Sequence, residues 1–593
     1  MKEQKVIVFG VDGLIPELVY KFAEEGHLPN MNKMLKEGVD AALLPYISTW
    51  GDVNWVSFLA GQPPGDSWKG QNVSKENEKN LLGRMEEENK QAALVHFPQT
   101  LSTEGTSHFC FAPYYANPSF EAAPSAVYTT NPGKWPEKRV NEFLGWPPVG
   151  TLAHHIKSNR FPVEKTDEGW VFSISLRSGG QAVITVKPFT QDKVIMMLPG
   201  SRSVEINFNE WSEWVTLPLE DGTNGMTRFK LVHYDRENQE MDLLQSQITI
   251  EGGLSNDAEL EGYLLNRCGP FISNWTVTAS PEEKYHETSF EEGKYQAMWL
   301  AEAALGLLEE KDYHLFATVF RLNDETHHTS LGKYDPASPF YTPEEAPLYE
   351  ENMRKSYEVL DQAVGKILKD KQEDTTLIVA SDHGDVPNHY FCDVHKRLEE
   401  CGLCVLDEEG KQVQSESKAY LKDERGGMEV FVNLQGREQN GIVPPEEYEE
   451  VQNAIFRTLA AWCHSTGKKT LPVTALTIKK QDAAIIGYWG ADVGDVIFAY
   501  NKGFVWGKNN KDVTAPVSGP GANHGPQIPT ASTNHSSNLG IAMFYGTSVN
   551  SSFPSAHNDA PFSMAQAGQT IAKLLKVDKR DTLDTKVLKH PIF

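Results

Sequence analysis

Residues 319–332 read VFRLNDETHHTSLG: an apolar run that stops at Arg321, an acid at Asp324, and two adjacent histidines, His327 and His328. With the preceding HLFAT, the apolar part is long enough for a buried strand. Its near-continuous hydrophobicity suits a parallel sheet covered on both faces rather than an alternating, half-solvated one. Asp324 and His328 are four residues apart, so a helical turn begun after the strand would set both on one side. The stretch reads either as a solvated turn or as half of a metal site, and the rest of the chain decides by whether it supplies the missing ligands.

Three more segments have the same strand character: KVIVFGVDG (5–13), TTLIVASDHG (375–384) and LGIAMFYG (539–546). Helical patterns lie between them. IPELVYKFAEEG follows the first, and 357–370 carries Tyr357, Leu360, Val364, Ile367 and Leu368 on one face. Strand–helix alternation predicts an α/β fold with a doubly wound, mostly parallel sheet flanked by helices. From about 160 to 285 the texture changes to short strands and turn signals, which predicts an inserted all-β domain. The chain thus divides into 1–158 (N-terminal part of the α/β core), 159–287 (β-rich cap) and 288–593 (remainder of the core). Trp211 and Trp214 of the cap read either as core or as a ligand surface.

The chain has 593 residues, 39% of them hydrophobic, and a net charge of −26, which argues against a nucleic-acid-coating surface. An anionic substrate would need local positive charge, which bound metal ions could supply. No window holds the roughly 18 apolar residues of a membrane span, and the N-terminus lacks a secretion-signal pattern. We therefore expect a cytoplasmic protein. The six scattered cysteines fit a reducing compartment, and the pair Cys401 and Cys404 has no second pair to complete a zinc knuckle.

The first strand ends at Asp12, the second at Asp324 and the third at Asp382-His383. One such acid is ordinarily a turn former or cap. In an open parallel sheet, however, all would meet at the carboxyl edge, where ligands bind. Carboxylate with imidazole suits Zn²⁺ or Mn²⁺ better than Mg²⁺ or Ca²⁺. A third histidine is available in GPGANHGPQIPTASTNHSS, as His524 or His535.

The ordered set Asp12, a Ser/Thr loop, Asp324-x-x-x-His328, Asp382-His383-Gly384 and a late Asn-His-Gly resembles the alkaline phosphatase superfamily, most closely its type I phosphodiesterase/nucleotide pyrophosphatase branch. That resemblance implies a two-metal phosphoesterase acting on a phosphate diester, phosphonate or pyrophosphate. Asp324, His328 and His524 would hold one zinc or manganese ion. Asp12, Asp382, His383 and the nucleophile oxygen would hold the other, leaving His327 as an exposed neighbour. HGPQIPTA favours His524 over His535.

The nucleophile loop, PYISTWGDVNWVSFLAGQPPG (45–65), departs from the family pattern. Counting back four from Trp55 reaches Gly51, which has no hydroxyl. Either Thr49 takes the role or water attacks directly, as two-metal sites permit. Asn54 would donate to a phosphoryl oxygen, or else pack the loop; Asp52 would be an extra ligand or base, or a solvated turn residue. The loop lacks the Cys or Ser followed by Pro and Arg that the sulfatase branch needs. Two alternatives stand beside the diesterase: a phosphomonoesterase or phosphomutase drawing on arginines in LVHYDREN and ERGGMEVF, and a degenerate protein that binds a phosphorylated ligand without turning it over.

Overall fold

The computed structural model describes residues 4–48, 51–69, 72–73, 81–98, 120–134, 159–200, 202–219, 222–255, 257–422, 428–507, 512–549 and 561–577. Its centre is a seven-stranded sheet in the order Phe562–Ser563, Val39–Leu44, Gly540–Tyr545, Thr375–Ser381, Lys5–Val11, Leu315–Phe320, Ala92–Leu94. Only Gly540–Tyr545 runs against the others, so the last segment read as a strand is the antiparallel one. The period-2 alternation of a strand divides the first segment between two cores. Ile7, Phe9 and Val11 pack on the helices Pro16–Glu24, Glu287–Glu310 and Ala346–Asp370. Val6 and Val8 pack on Trp55 and Phe58 of helix Asp52–Ala60 and on Ile571 of helix Met564–Leu574. Burial on both faces is why these strands read as unbroken apolar runs.

Gly10 makes the second contact possible. A Cβ there would lie 2.4 Å from the Thr318 carbonyl oxygen and 2.7 Å from the Trp55 ring. The indole thus lies directly on the strand and anchors the helix whose first turn faces the sheet's carboxyl edge.

Two further groups of strands carry their own cores. Between 160 and 250, one five-stranded and two four-stranded antiparallel-rich sheets enclose Trp170, Phe172, Ile184, Met196, Phe229 and Leu231. Strands Glu121–Ala123 and Ala126–Thr129, which the sequence reading assigned to the N-terminal core segment, pair into these sheets. Trp211 and Trp214 flank the Arg228 guanidinium at 4.6 and 5.3 Å and are half-buried. The second group was not foreseen: strands Ala419–Tyr420, Glu429–Val432, Thr474–Lys479 and Val496–Tyr500 pack on helix Tyr448–Ala460 around Val430, Ile455 and Phe498. Strands of two to six residues give too little periodicity to be read from sequence. Among the described residues, no helix is long and apolar enough to cross a membrane.

Candidate metal centre

Strand register brings the strand-final acids together. Val11 is aligned with Phe320 on one side and Ser381 on the other, so Asp12 and Asp382 leave neighbouring strands at the same level. The Asp12 N–H donates to the Phe320 carbonyl at 2.8 Å. Helix Leu322–Tyr334 then starts, with Asp324 in its first turn and His328 one turn on; Asp324 Oδ2 and His328 Nε2 are 3.1 Å apart. Gly13, at φ +68°, keeps the first loop clear: a Cβ there would lie 2.9 Å from Asp324 Oδ1.

Backbone carbonyls orient two of the histidines. A carbonyl only accepts, so His328 Nδ1–H donates to Ala522 O at 2.8 Å and His383 Nδ1–H to Gly384 O at 3.1 Å. Both rings therefore present Nε2 to the site. His383 Nε2 lies 3.2 Å from Asp12 Oδ1 and 3.2 Å from Asp382 Oδ2. His524 comes from the loop before the last core strand and stacks on His383, with centroids 3.5 Å apart and planes 6° from parallel. His535 lies instead against Tyr334, at 6.0 Å.

Three overlapping groups have ligand atoms within 4.8 Å of one another: Asp12/Asp382/His383, Asp324/His383/His524 and Asp324/His328/Asp385. The first is the trio expected from sequence. Asp324, His328 and His524 also converge, but in two groups rather than one, because His524 lies over His383. Asp385 was missed; only its place one residue beyond Asp382-His383-Gly384 could have signalled it. His327 corrects an expectation: it is fully buried, not exposed, with Nδ1 3.2 Å from Asp385 Oδ2 and Nε2 3.1 Å from the Tyr357 hydroxyl. Its helix packs this face against Ala346–Asp370, which carries Tyr357.

Asp324 Oδ1, Asp382 Oδ2, His383 Nε2 and Asp385 Oδ1 are buried and make no hydrogen bond. An orphaned buried oxygen or nitrogen is costly, by about 1–3 kcal/mol and more if charged. Burial, reinforced by Asp12 and Asp324 and opposed by His383, pushes the Asp382 carboxyl well above the usual carboxylate range. Burial would lower the His383 pKa, yet Asp382 and Asp12 hold it well above the usual imidazole value. His328 goes the same way, up to about 10, because Asp324 outweighs its burial. Asp324 itself lies far below the usual range, since His328 overcomes the opposing effect of burial. These shifts favour protons on His328, His383 and Asp382, the positive charge that a dication bound there would replace. Carboxylate oxygens with imidazole nitrogens, several of them orphaned, fit a transition-metal dication.

The nucleophile loop meets this cluster at Gly51, the N-cap of helix Asp52–Ala60. A Cβ at Gly51 would lie 2.1 Å from Asp382 Oδ2 and 3.4 Å from His383 Nε2. Thr49 lies outside the described residues. Asn54 is buried, and its Oδ1 accepts from the Tyr46 N–H at 2.7 Å, which fixes the amide plane. Asp52 is buried rather than solvated and belongs to none of the three groups.

The family model for type I phosphodiesterase / nucleotide pyrophosphatase matches residues 6–91 and 226–527. No curated protein sequence matches the chain. Among solved structures, the chain is similar to phosphonoacetate hydrolase from Sinorhizobium meliloti 1021 in complex with phosphonoacetate (12% identity, 97% of this chain and 96% of that one, TM-score 0.45). It is also similar to murine ectonucleotide pyrophosphatase / phosphodiesterase 5 (11%, 98% and 96%, 0.43) and to wild-type alkaline phosphatase PafA (11%, 100% and 100%, 0.44). Likeness at this distance says nothing of substrate.

Proposed function

Because the chain belongs to the type I phosphodiesterase / nucleotide pyrophosphatase family, we propose that it hydrolyses a phosphate diester, or a related phosphonate or pyrophosphate, at the cluster around Asp382. The observation that carries this reading is the set of buried, hydrogen-bond-free ligand atoms at the carboxyl edge of the sheet. Asp324, His328 and His524 would hold one dication and Asp12, Asp382 and His383 a second, zinc or manganese. Such ions supply positive charge for the phosphoryl oxygens and acidify the attacking oxygen.

The chain's own residues do the rest. The nine-residue helix Asp52–Ala60 opens at Gly51, beside Asp382, so its N-terminal dipole favours an anion there. With Oδ1 engaged by Tyr46, the Asn54 NH₂ group is the end that donates to a phosphoryl oxygen. Thr49, two residues upstream of Gly51, is our nucleophile: its oxygen attacks phosphorus, the alcohol leaves, and water then cleaves the phosphothreonine. A second reading, direct attack by water, is favoured by Gly51, since a position whose Cβ would abut Asp382 Oδ2 and His383 Nε2 carries no hydroxyl. A monoesterase would need added cationic groups; Arg236 is exposed and Arg425 lies outside the described residues. The separate core of the 160–250 strands supports treating 159–287 as a cap unit, joined by 121–129.

The test is turnover of bis-p-nitrophenyl phosphate and p-nitrophenyl phosphate by chelated protein reloaded with Zn²⁺ or Mn²⁺, followed by acid quench with a ³²P-labelled diester. Metal-dependent diester cleavage is expected, with label on the protein in wild type and none in Thr49→Ala. Turnover retained in Thr49→Ala without a labelled protein moves the attack to water. Bound metal and bound substrate without turnover would leave a binding protein.

A further inference from the structure

The motif that the proposed mechanism leaves unused is the pair His327 and Asp385. Asp385 is fully buried, and its two oxygens differ. Oδ2 lies 3.2 Å from His327 Nδ1, whereas Oδ1 makes no hydrogen bond. Behind His327 a single donor order satisfies every partner. The Ile15 N–H can only donate, so the Tyr357 oxygen accepts from it at 3.1 Å. The Tyr357 proton then goes to His327 Nε2 at 3.1 Å, and His327 Nδ1–H goes to the Asp385 carboxylate. Ile15 lies three residues beyond Asp12, and His327 adjoins His328. The relay therefore ties together the loop that carries one strand-final acid and the helix that carries the other.

We propose that Asp385 is a further metal ligand of this chain, joining Asp324 and His328 on one dication, with His327 and Tyr357 as its positioning residues. The inference rests on the two-metal reading above and deepens it. A histidine held through its far nitrogen is the usual way to orient a ligand from behind; here the histidine orients a carboxylate. His524, stacked on His383, groups with Asp324 from the other side, and Asp385 adds a donor within 4.8 Å of both Asp324 and His328. A carboxylate added to Asp324 makes this position richer in oxygen, which shifts preference toward manganese relative to zinc.

The test uses the full chain and reads metal rather than turnover. Wild type, Asp385→Asn and Tyr357→Phe are chelated, and Mn²⁺, Zn²⁺ and Co²⁺ are titrated by calorimetry, with the cobalt visible spectrum recorded. Wild type should bind two ions. Asp385→Asn should weaken one of them at least tenfold, more for Mn²⁺ than for Zn²⁺, leave the other unchanged, and alter the cobalt bands. Tyr357→Phe, which keeps every ligand, should weaken the same ion by a smaller factor. Metal-free melting of Asp385→Asn should match or exceed wild type, because an orphaned carboxylate oxygen has been removed; a purely structural Asp385 would melt lower and bind both ions normally, which would overturn the proposal while leaving the family reading intact. Wild type that binds no ion at all overturns both.

Discussion

Asp382 and Asp495 are both fully buried aspartates, one at the edge of the central sheet and one in the α+β group that packs around Phe498. Asp495 is saturated. Its Oδ1 accepts from Arg437 at 2.9 Å and Tyr448 at 2.8 Å, and its Oδ2 from Arg437 at 2.7 Å and the Val432 N–H at 2.6 Å. Asp382 has the Gly13 N–H 3.4 Å from Oδ1 and His383 Nε2 3.2 Å from Oδ2, yet Oδ2 makes no hydrogen bond, and against His383 the acids Asp12 and Asp324 press further negative charge on it. A fold that needed only a buried carboxylate would satisfy it as Asp495 is satisfied. Atoms left orphaned together at one sheet edge, among stacked imidazoles, fit the metal site proposed above.

The contrast breaks most visibly by substitution at the two aspartates. Asp382→Asn should lower kcat/KM by about a thousandfold or more, given that outer-shell partners of a metal alone are worth 10–100-fold. Its metal-free melting temperature should not fall. Activity near wild type with metal content unchanged would sink the site. Asp495→Ala should do the reverse: about 3–5 kcal/mol of stability lost, because Arg437 and the Val432 N–H lose their acceptor, with kcat of the folded fraction unchanged. Urea unfolding of the two variants side by side checks both. Equal destabilisation would erase the distinction between them.

Glu292 lies between these extremes and gives the contrast a pH axis. It is fully buried, and its oxygens accept from the Thr276 N–H at 2.7 Å and the Thr276 hydroxyl at 3.0 Å. No hydrogen bond to a cation accompanies them among those described, and burial raises its pKa to about 7, with Thr276 and Arg228 opposing. The folded value lies above the unfolded 4.5, so the folded state holds the proton more tightly between the two. The contribution is fully present below pH 4.5 and is lost as pH rises through 7. Glu292→Gln keeps an acceptor for the Thr276 N–H and carries no charge. Its stability relative to wild type should therefore rise by up to about 3 kcal/mol between pH 4.5 and 8. A flat difference across that range would show that water reaches Glu292.

How much of this was legible follows from the range of the interactions. The core strands and their terminal acids could be read because a strand buried on both faces leaves a continuous apolar run, and parallel register sets its end beside its neighbours'. Asp12, Asp324, His328, Asp382, His383 and His524 all converge as a result. His327 was misjudged because its burial depends on Tyr357, 30 residues away on another helix, and on Asp385, 58 residues away. Nothing within the stretch 319–332 records either partner. The Asp495 group escaped notice for a different reason: its strands are too short to show a period, and Arg437 reaches Asp495 across 58 residues.

The smallest expected effect bears on the nucleophile. Gly51 has ordinary right-handed helical backbone angles, φ −61° and ψ −22°, so any residue fits its conformation; what resists a side chain is Asp382 Oδ2, 2.1 Å from where a Cβ would stand. Gly51→Ala should therefore force the carboxylate aside, at the roughly 1–3 kcal/mol that overpacking costs. If that oxygen is reserved for a cation, the strain appears as weaker metal binding and about a tenfold lower kcat/KM, with little change in metal-free melting. If the oxygen is merely an imperfectly paired buried group like others in the chain, the strain appears in melting alone and the metal isotherm is untouched. Gly51→Thr then separates the two routes of attack. A hydroxyl placed beside Asp382 and His383 that restores a labelled phosphoenzyme in a Thr49→Ala background would mean that the loop can still present a covalent nucleophile from the helix cap. Loss of activity with no labelled protein would mean that the space at Gly51 belongs to water or substrate, and that the loop has been rebuilt around its absence of a side chain.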